Sequence, residues 1–153
     1  MPDAPWLTII GIGEDGLTGM SSASKDALNG ARCVMGSTRH LRLLGDISTE
    51  TIEWPVPFAD GLPILMARRG TPTVVLASGD PFWFGAGSAI TRDLAPSEWR
   101  AFPGSSTPSL ACARLGWARE TVHAHGLHAA PFSRLRTDLA PGAKLIMPWR
   151  LKR

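Results

Sequence analysis

The sequence predicts an α/β fold with a mostly parallel sheet. Short apolar runs rich in β-branched residues alternate along the chain with segments of helical character, an order typical of β-α units. The most apolar run, Thr73 to Ala77, is bounded by turn formers, which predicts a strand buried on both faces. Thirteen prolines and sixteen glycines in 153 residues indicate many short connections between these elements.

Residues 1–117 are expected to form a complete first α/β subdomain. Two of its helices begin at hydroxyl caps, Ser21 or Ser22 before the first helix and Ser37 or Thr38 before the second. The predicted strands cover residues 6–10, 32–36, 51–54, 73–77 and 99–102, and the predicted helices cover residues 23–31, 40–44, 60–69, 86–94 and 108–115.

Residues 118–153 are expected to be the truncated start of a second α/β subdomain. Two strands, at 121–126 and 144–147, and one helix, at 132–139, are too few to cover both faces of a sheet. The uncovered apolar face is therefore expected either to recruit another copy of the chain, giving a homodimer or another homo-oligomer, or to leave the segment mobile.

A polar turn, Ser78-Gly79-Asp80-Pro81, follows the central strand and is the first candidate for a binding site. Open α/β sheets bind ligands outside the carboxyl ends of their strands. A glycine beside a carboxylate and a proline lets backbone groups approach a small molecule closely, while the aromatic residues 82–84 supply an apolar wall. The alternative is a plain Gly-Asp-Pro turn with a structural role.

The run from Gly11 to Gly16 matches the dinucleotide-binding pattern G-x-G-x-x-G after a first strand. That pattern requires a helix to open within it, whereas the first helix is expected only after Ser21 or Ser22. It also requires an acidic residue at the end of the next strand, and the sequence has none between Asp26 and Asp46. A nicotinamide-dependent enzyme is therefore the weaker interpretation of this turn.

Charge and composition argue against several classes of partner. The formal net charge is +3, and the basic residues are scattered without a lysine-rich run or an aromatic-interleaved patch, so no nucleic acid is expected. Most of the basic residues are arginines, whose planar forks suit a substrate that carries many carboxylates. No apolar run approaches membrane-spanning length, and no basic region followed by an apolar region gives the pattern of a signal peptide, so we expect a cytoplasmic protein without a membrane partner.

The cysteines and histidines predict neither a disulfide nor a metal site. Cys33 and Cys112 are far apart in apolar surroundings, which predicts buried free thiols. Three histidines lie between residues 123 and 128, but no acidic or thiol residue is close to them in the sequence, so no metal is expected there. His40 is expected on the surface of a helix.

Four motifs, taken in order, resemble the tetrapyrrole methylase family. Each motif alone is common, and it is the occurrence of all four in this order that carries the resemblance. The resemblance covers the chain to about Met147. The motifs are Gly11-Ile12-Gly13, the run Ala77-Ser78-Gly79-Asp80-Pro81-Phe82-Trp83-Phe84-Gly85, the run Pro103-Gly104-Ser105-Ser106-Thr107 leading to Ala113-Arg114-Leu115-Gly116-Trp117, and His125-Gly126.

The resemblance implies two α/β subdomains with S-adenosyl-L-methionine in the cleft between them. It also implies methyl transfer to a carbon of a precorrin, of the precorrin-6Y type, in cobalamin biosynthesis. Asp80 is the candidate catalytic residue, because a carboxylate can accept a proton or stabilise positive charge near the sulfonium. The implied cofactor-binding residues are Gly11, Gly13, Ser78, Gly79, Asp80, Pro81, Ser106, Thr107 and Gly126.

Two further alternatives stay open at this point. The chain is either a non-catalytic remnant of such an enzyme or a tetrapyrrole methylase that acts at a different ring position. Because half of the expected cofactor enclosure belongs to the second subdomain, we expect the chain by itself to be a poor or inactive methyltransferase.

Overall fold

The computed structural model describes residues 4–126 and 132–148. The chain divides into two units, residues 1–105 and 106–153. The subdomain boundaries proposed from the sequence, 1–117 and 118–153, stay a prediction.

Five parallel strands form the sheet of the first unit, which confirms the predicted fold class. Their order across the sheet is β3-β2-β4-β1-β5, and Leu7 of β1 lies opposite Thr73 of β4 on one side and Trp99 of β5 on the other. The strands are β1 (Leu7–Ile12), β2 (Cys33–Gly36), β3 (Glu50–Glu53), β4 (Thr73–Ser78) and β5 (Trp99–Phe102).

Helices connect these strands at the positions that the sequence predicts, although three of them are shorter. Ser21 and Ser37 are the caps of the first two helices, and their hydroxyls accept hydrogen bonds from the N–H groups of Ser24 and His40. The helices are α1 (Ser22–Asn29), α2 (Thr38–Leu44), α3 (Gly61–Met66) and α4 (Gly87–Thr91), with 3₁₀ turns at Gly16–Gly19 and Phe58–Asp60.

The strands β1, β2 and β4 are buried on both faces, as the continuous apolar run of β4 predicts, whereas the edge strands β3 and β5 are more exposed. Alternate residues of β1 and β4 point to opposite faces, so each strand contributes to two separate apolar clusters. One cluster contains Trp6, Leu7, Ile9, Cys33, Met35, Trp54, Leu65, Val75, Ile90 and Leu94. The other contains Ile10, Ile12, Met20, Ala27, Leu28, Val34, Leu44, Val74 and Leu76.

The strand order determines where a ligand can bind. The chain leaves β2 toward β3 at one edge of the sheet, and it leaves β4 toward β5 on the other side. Because β2 and β4 are neighbours, these two connections diverge and leave a crevice at the carboxyl ends of both strands. Because the central strands are buried on both faces, polar groups are expected at the carboxyl edge of the sheet.

The second unit contains one helix and a pair of parallel strands among its described residues. They are α5 (Thr107–Leu115), β6 (Val122–Ala124) and β7 (Lys144–Ile146). The helix predicted at 132–139 is wrong, because the structure has only a 3₁₀ turn at Phe132–Leu135, in which Leu135 is the buried residue. Cys112 and Cys33 are both buried free thiols, as predicted.

Within residues 4–126 and 132–148, every helix is too short or too polar to cross a lipid bilayer.

Three glycines hold the carboxyl ends of β1, β4 and β5 in close contact. Gly79 has a left-handed backbone, φ 52°; its N–H donates to the Ile12 carbonyl at 3.1 Å, and its own carbonyl accepts from the Gly104 N–H at 2.9 Å. The Gly79 carbonyl therefore lies against Gly11, where an added Cβ would be 1.7 Å from that oxygen and 2.4 Å from the Gly104 nitrogen. Only glycine fits at position 11.

We expect Gly11→Ala to lower the free energy of unfolding by about 3 kcal/mol, because the added methyl meets backbone atoms that cannot move aside. Gly30→Ala is the matched control, since its added Cβ would have its nearest neighbour at an ordinary 3.5 Å. Urea unfolding followed by circular dichroism should place the control within about 1 kcal/mol of the parent. Equal effects of the two substitutions would contradict the close contact at Gly11.

Candidate functional site

The turn after β4 is folded back on itself by its own hydrogen bonds. Asp80 Oδ1 accepts from the Phe82 N–H at 2.9 Å, and the Pro81 carbonyl accepts from the Gly87 N–H at 2.8 Å. Pro81 is fully buried. One carboxylate oxygen of Asp80 therefore braces its own turn, so the structural role considered for this aspartate is real and fixes the position of the carboxylate.

The aromatic residues of this turn form an apolar wall beside the strand end. The Phe82 ring lies 5.6 Å from that of Trp99, and the rings of Trp83 and Phe84 meet edge to face at 5.1 Å. Phe84 has a φ of 49°, a conformation that bulky residues rarely adopt, and 62% of it is exposed. Backbone strain of this kind concentrates at binding sites, so Phe84 is a further candidate for ligand contact.

The turn after β1 lacks the two features of a dinucleotide site. A 3₁₀ turn at Gly16–Gly19 follows the glycines, and α1 begins only at Ser22 with Ser21 as its cap. This confirms the predicted start of the first helix. At the end of β2, Gly36 is followed by Ser37, so no carboxylate stands where a ribose would be held.

The residues proposed for cofactor binding fall in both units. Ser106 caps α5, where its Oγ accepts from the Ser109 N–H at 3.3 Å, and Thr107 is the first residue of that helix. Gly126 follows β6. Ser106, Thr107 and Gly126 thus belong to the second unit, while Gly11, Gly13, Ser78, Gly79, Asp80 and Pro81 lie at the carboxyl ends of β1 and β4. Their roles stay predictions.

Sequence reasoning missed a polar cluster at the crevice between β2 and β4. His40 is half-buried, not a free surface residue, and its Nε2 lies 2.9 Å from Ser78 Oγ. Arg39 Nη1 lies 3.4 Å from the same oxygen, and Arg39 Nη2 forms an ion pair with Glu14. The Ser37 cap, recognised from the sequence, determines where α2 begins. The sequence near α2 does not show that β4 lies beside β2, and so it does not show that Ser78 lies beside His40.

A second correction concerns the histidines of the second unit. The sequence places no acidic residue near them, yet Asp138 Oδ2 lies 2.6 Å from His125 Nε2 and Asp138 Oδ1 lies 3.5 Å from His123 Nδ1. His128 lies outside the described residues. Over the part of the chain that the structure describes, no three histidine, cysteine or acidic side chains are arranged to hold a metal ion.

Comparison with known proteins identifies the family. The model of the Tetrapyrrole (Corrin/Porphyrin) Methylases matches residues 6–146. The chain belongs to the tetrapyrrole methylases. The resemblance drawn from the sequence is confirmed.

Two curated relatives from this family have been assigned activities. The chain is 43% identical over 144 residues, 94% of its length and 35% of the relative's, to a precorrin-6Y C(5,15)-methyltransferase [decarboxylating] of Sinorhizobium sp. It is 32% identical over 110 residues, 72% of its length and 55% of the relative's, to a cobalt-precorrin-7 C(5)-methyltransferase of Salmonella typhimurium. The chain thus spans about a third and about half of these relatives.

A solved tetrapyrrole methylase has the same fold. The precorrin-6Y methylase of Archaeoglobus fulgidus superimposes with a TM-score of 0.74 at 21% identity, covering 94% of this chain and 73% of that one. This likeness supports the α/β architecture.

His40 gives this tetrapyrrole methylase a pH dependence that can be measured. Burial lowers the pKa of His40 below its ordinary value, the Arg39 charge lowers it further, and an interaction with the Leu76 backbone partly opposes both. The folded ring is therefore neutral at neutral pH.

We expect the unfolding free energy of the parent, relative to His40→Asn, to fall as the pH drops below about 6.5. The unfolded histidine takes up a proton there, while the folded one resists, so the unfolded state gains protons first. Urea unfolding of both proteins between neutral and mildly acidic pH measures the difference. A difference that stays constant across this range would contradict the lowered pKa.

Proposed function

We propose that this chain binds S-adenosyl-L-methionine and supplies the methyl-transferring part of a precorrin C-methyltransferase in cobalamin biosynthesis. The observation that carries the proposal is its 43% identity, over nearly its whole length, to a precorrin-6Y C(5,15)-methyltransferase. The close backbone contact at the strand ends supplies a binding place that suits this activity.

The strand-end glycines fit the cofactor. Gly11, Gly79 and Gly104 are each partly exposed, and their close contact brings peptide groups without side chains together at the carboxyl edge of the sheet. The turn from Ser78 to Pro81 borders this space, and Gly13 continues it from β1. The cofactor-binding roles of Ser106, Thr107 and Gly126, which belong to the second unit, rest on the family resemblance alone.

When bound, S-adenosyl-L-methionine would supply an electrophilic methyl group on a positively charged sulfonium. The chain then has two tasks, to hold the nucleophilic ring carbon in line with the methyl group and to keep water out. Phe82 and Phe84, which are 43% and 62% exposed, offer the apolar surface for the second task.

The geometry favours a binding role for Asp80 over a role in proton transfer. Its Oδ1 is engaged by the Phe82 N–H, which holds the carboxylate in one orientation. A fixed negative charge near a sulfonium stabilises the charged ground state, and this attraction weakens as the positive charge leaves the sulfur. Asp80 should therefore contribute to cofactor affinity more than to the rate of methyl transfer.

The two curated relatives support a choice of ring position. Their names share carbon 5 as a site of methylation. We therefore propose carbon 5 of a precorrin as the acceptor, with a precorrin of the precorrin-6Y type as the substrate. Methylation of a cobalt-containing precorrin-7 is the second candidate, favoured by the Salmonella relative.

Three forms of the protein separate the charge of Asp80 from its role in the turn. Asp80→Asn keeps an oxygen that can accept the Phe82 N–H but removes the charge, whereas Asp80→Ala removes both. We expect Asp80→Asn to bind S-adenosyl-L-methionine roughly tenfold more weakly and to bind the product S-adenosylhomocysteine, whose sulfur carries no charge, as the parent does. Isothermal titration calorimetry measures both affinities, and far-ultraviolet circular dichroism checks that the fold is kept.

Equal binding of the sulfonium cofactor by Asp80→Asn and the parent would show that the aspartate acts only in its turn. Saturable micromolar binding of NAD, with none of S-adenosyl-L-methionine, would overturn the proposed function itself.

A further inference from the structure

An ion pair spans the carboxyl end of β4. Arg39 lies in the first turn of α2, after β2, and Glu14 lies in the turn after β1. Since β4 lies between β2 and β1 in the sheet, the pair bridges the two flanking connections above the last residue of β4. That residue is Ser78, whose Oγ lies 3.4 Å from Arg39 Nη1.

This pair differs from the Arg68–Glu50 and Arg69–Glu98 pairs of the first unit. Arg68 and Arg69 each hold a carboxylate with two parallel hydrogen bonds, to Glu50 and Glu98 respectively. Arg39 instead contacts one oxygen of Glu14 through Nη2 and turns Nη1 toward Ser78. Its planar fork is therefore only partly used by the carboxylate that it holds.

The Arg39–Glu14 pair is also easily exchanged. The side chains are 54% and 78% exposed, and exposed pairs of this kind contribute little to stability because water competes for both charges. A carboxylate that reaches both Nη1 and Nη2 would gain a second charge-assisted hydrogen bond that Glu14 does not make. The Ser78 hydroxyl lies beside Nη1 as an additional donor.

The neutral His40 ring keeps this hydroxyl in place. Its Nε2 lies 2.9 Å from Ser78 Oγ, and burial together with the neighbouring Arg39 lowers the pKa of the imidazole. The ring therefore adds no second positive charge, and Arg39 is the cation of this cluster. His40 acts as a positioning residue for Ser78.

We propose that Arg39 binds a side-chain carboxylate of the tetrapyrrole substrate and that Glu14 holds this arginine until the substrate displaces it. The inference rests on the proposed function, because corrin precursors carry carboxylates around the rim of the ring. Glu14 thus occupies in the free protein the place that a substrate carboxylate takes in the complex.

Variants of both partners test the exchange with two stable corrinoids. Cobyrinic acid carries free side-chain carboxylates, and cobinamide carries amides in their place. We expect Arg39→Gln to weaken binding of cobyrinic acid roughly tenfold, Glu14→Gln to strengthen it a few-fold, and the double variant to match Arg39→Gln. Cobinamide should bind all four proteins equally. Titrations followed by tryptophan fluorescence supply the affinities.

Arg68→Gln is the matched control, since it removes the same charge from an ion pair at the amino end of β3. It should bind cobyrinic acid as the parent does, and every variant should keep the parental affinity for S-adenosyl-L-methionine. If Arg68→Gln and Arg39→Gln weaken the binding of cobyrinic acid equally, the change in affinity comes from net charge alone and Arg39 does not have the proposed role. If the double variant binds cobyrinic acid more tightly than Arg39→Gln does, by the same factor that Glu14→Gln adds to the parent, Glu14 does not act through Arg39 and the proposed exchange is wrong.

The two proposals fail in different ways. If the parent protein does not bind S-adenosyl-L-methionine, the proposed function is refuted, whether or not the corrinoids bind. If the parent binds the cofactor but cobyrinic acid does not bind, or binds no better than cobinamide, the Arg39 proposal is wrong and cofactor binding stands.

Discussion

The candidate site depends on the contact between the Gly79 carbonyl and Gly11. Because Gly11 has no side chain, the Gly79 carbonyl at the end of β4 can reach over β1 and accept a hydrogen bond from the Gly104 N–H beside β5. A side chain at position 11 would separate the three strand ends, and the turn that follows Gly79 would then lose its position. The placement of Asp80 and the aromatic wall therefore follows from a backbone contact that only glycine permits.

The sheet itself concentrates chemistry at this edge. Apolar clusters cover both faces of the central strands β1, β2 and β4, so a charged group cannot be placed there without a large desolvation cost. Near the amino ends of β3 and β5, Glu50 and Glu98 are paired with Arg68 and Arg69, and Arg69 holds the pKa of Glu98 at about 2 together with the Ala95 N–H and the Trp6 indole. At the carboxyl edge, Arg39 is matched only by an exposed glutamate, which is the arrangement expected where a ligand supplies the missing partner.

Most of the fold follows from local sequence signals. The caps at Ser21 and Ser37, the apolar run that becomes β4 and the glycine turn after it each predict their own conformation. The helix expected at 132–139 failed although Phe132, Leu135 and Leu139 have helical spacing. Leu135 is buried in the 3₁₀ turn found there, whereas Phe132 and Leu139 are 63% and 62% exposed, so burial of an apolar face does not stabilise a helix.

The missed site residues share one cause, which is that their partners are distant in sequence. His40 gains its environment from Ser78, and Arg39 from Glu14, only because β4 is inserted between β2 and β1. The contact of His125 with Asp138 likewise joins residues on either side of a turn. A parallel sheet predicts that strand ends meet at one edge, but it does not predict which strands are neighbours.

The most direct test is a nuclear magnetic resonance titration of the chain, labelled with ¹⁵N only at its glycines, with S-adenosyl-L-methionine. If the cofactor binds against the strand-end backbone, the amide signals of Gly11, Gly79 and Gly104 shift in a saturable way, while those of Gly30 and Gly70, outside this contact, stay unchanged. Saturable binding that leaves the three strand-end signals unmoved would contradict the account.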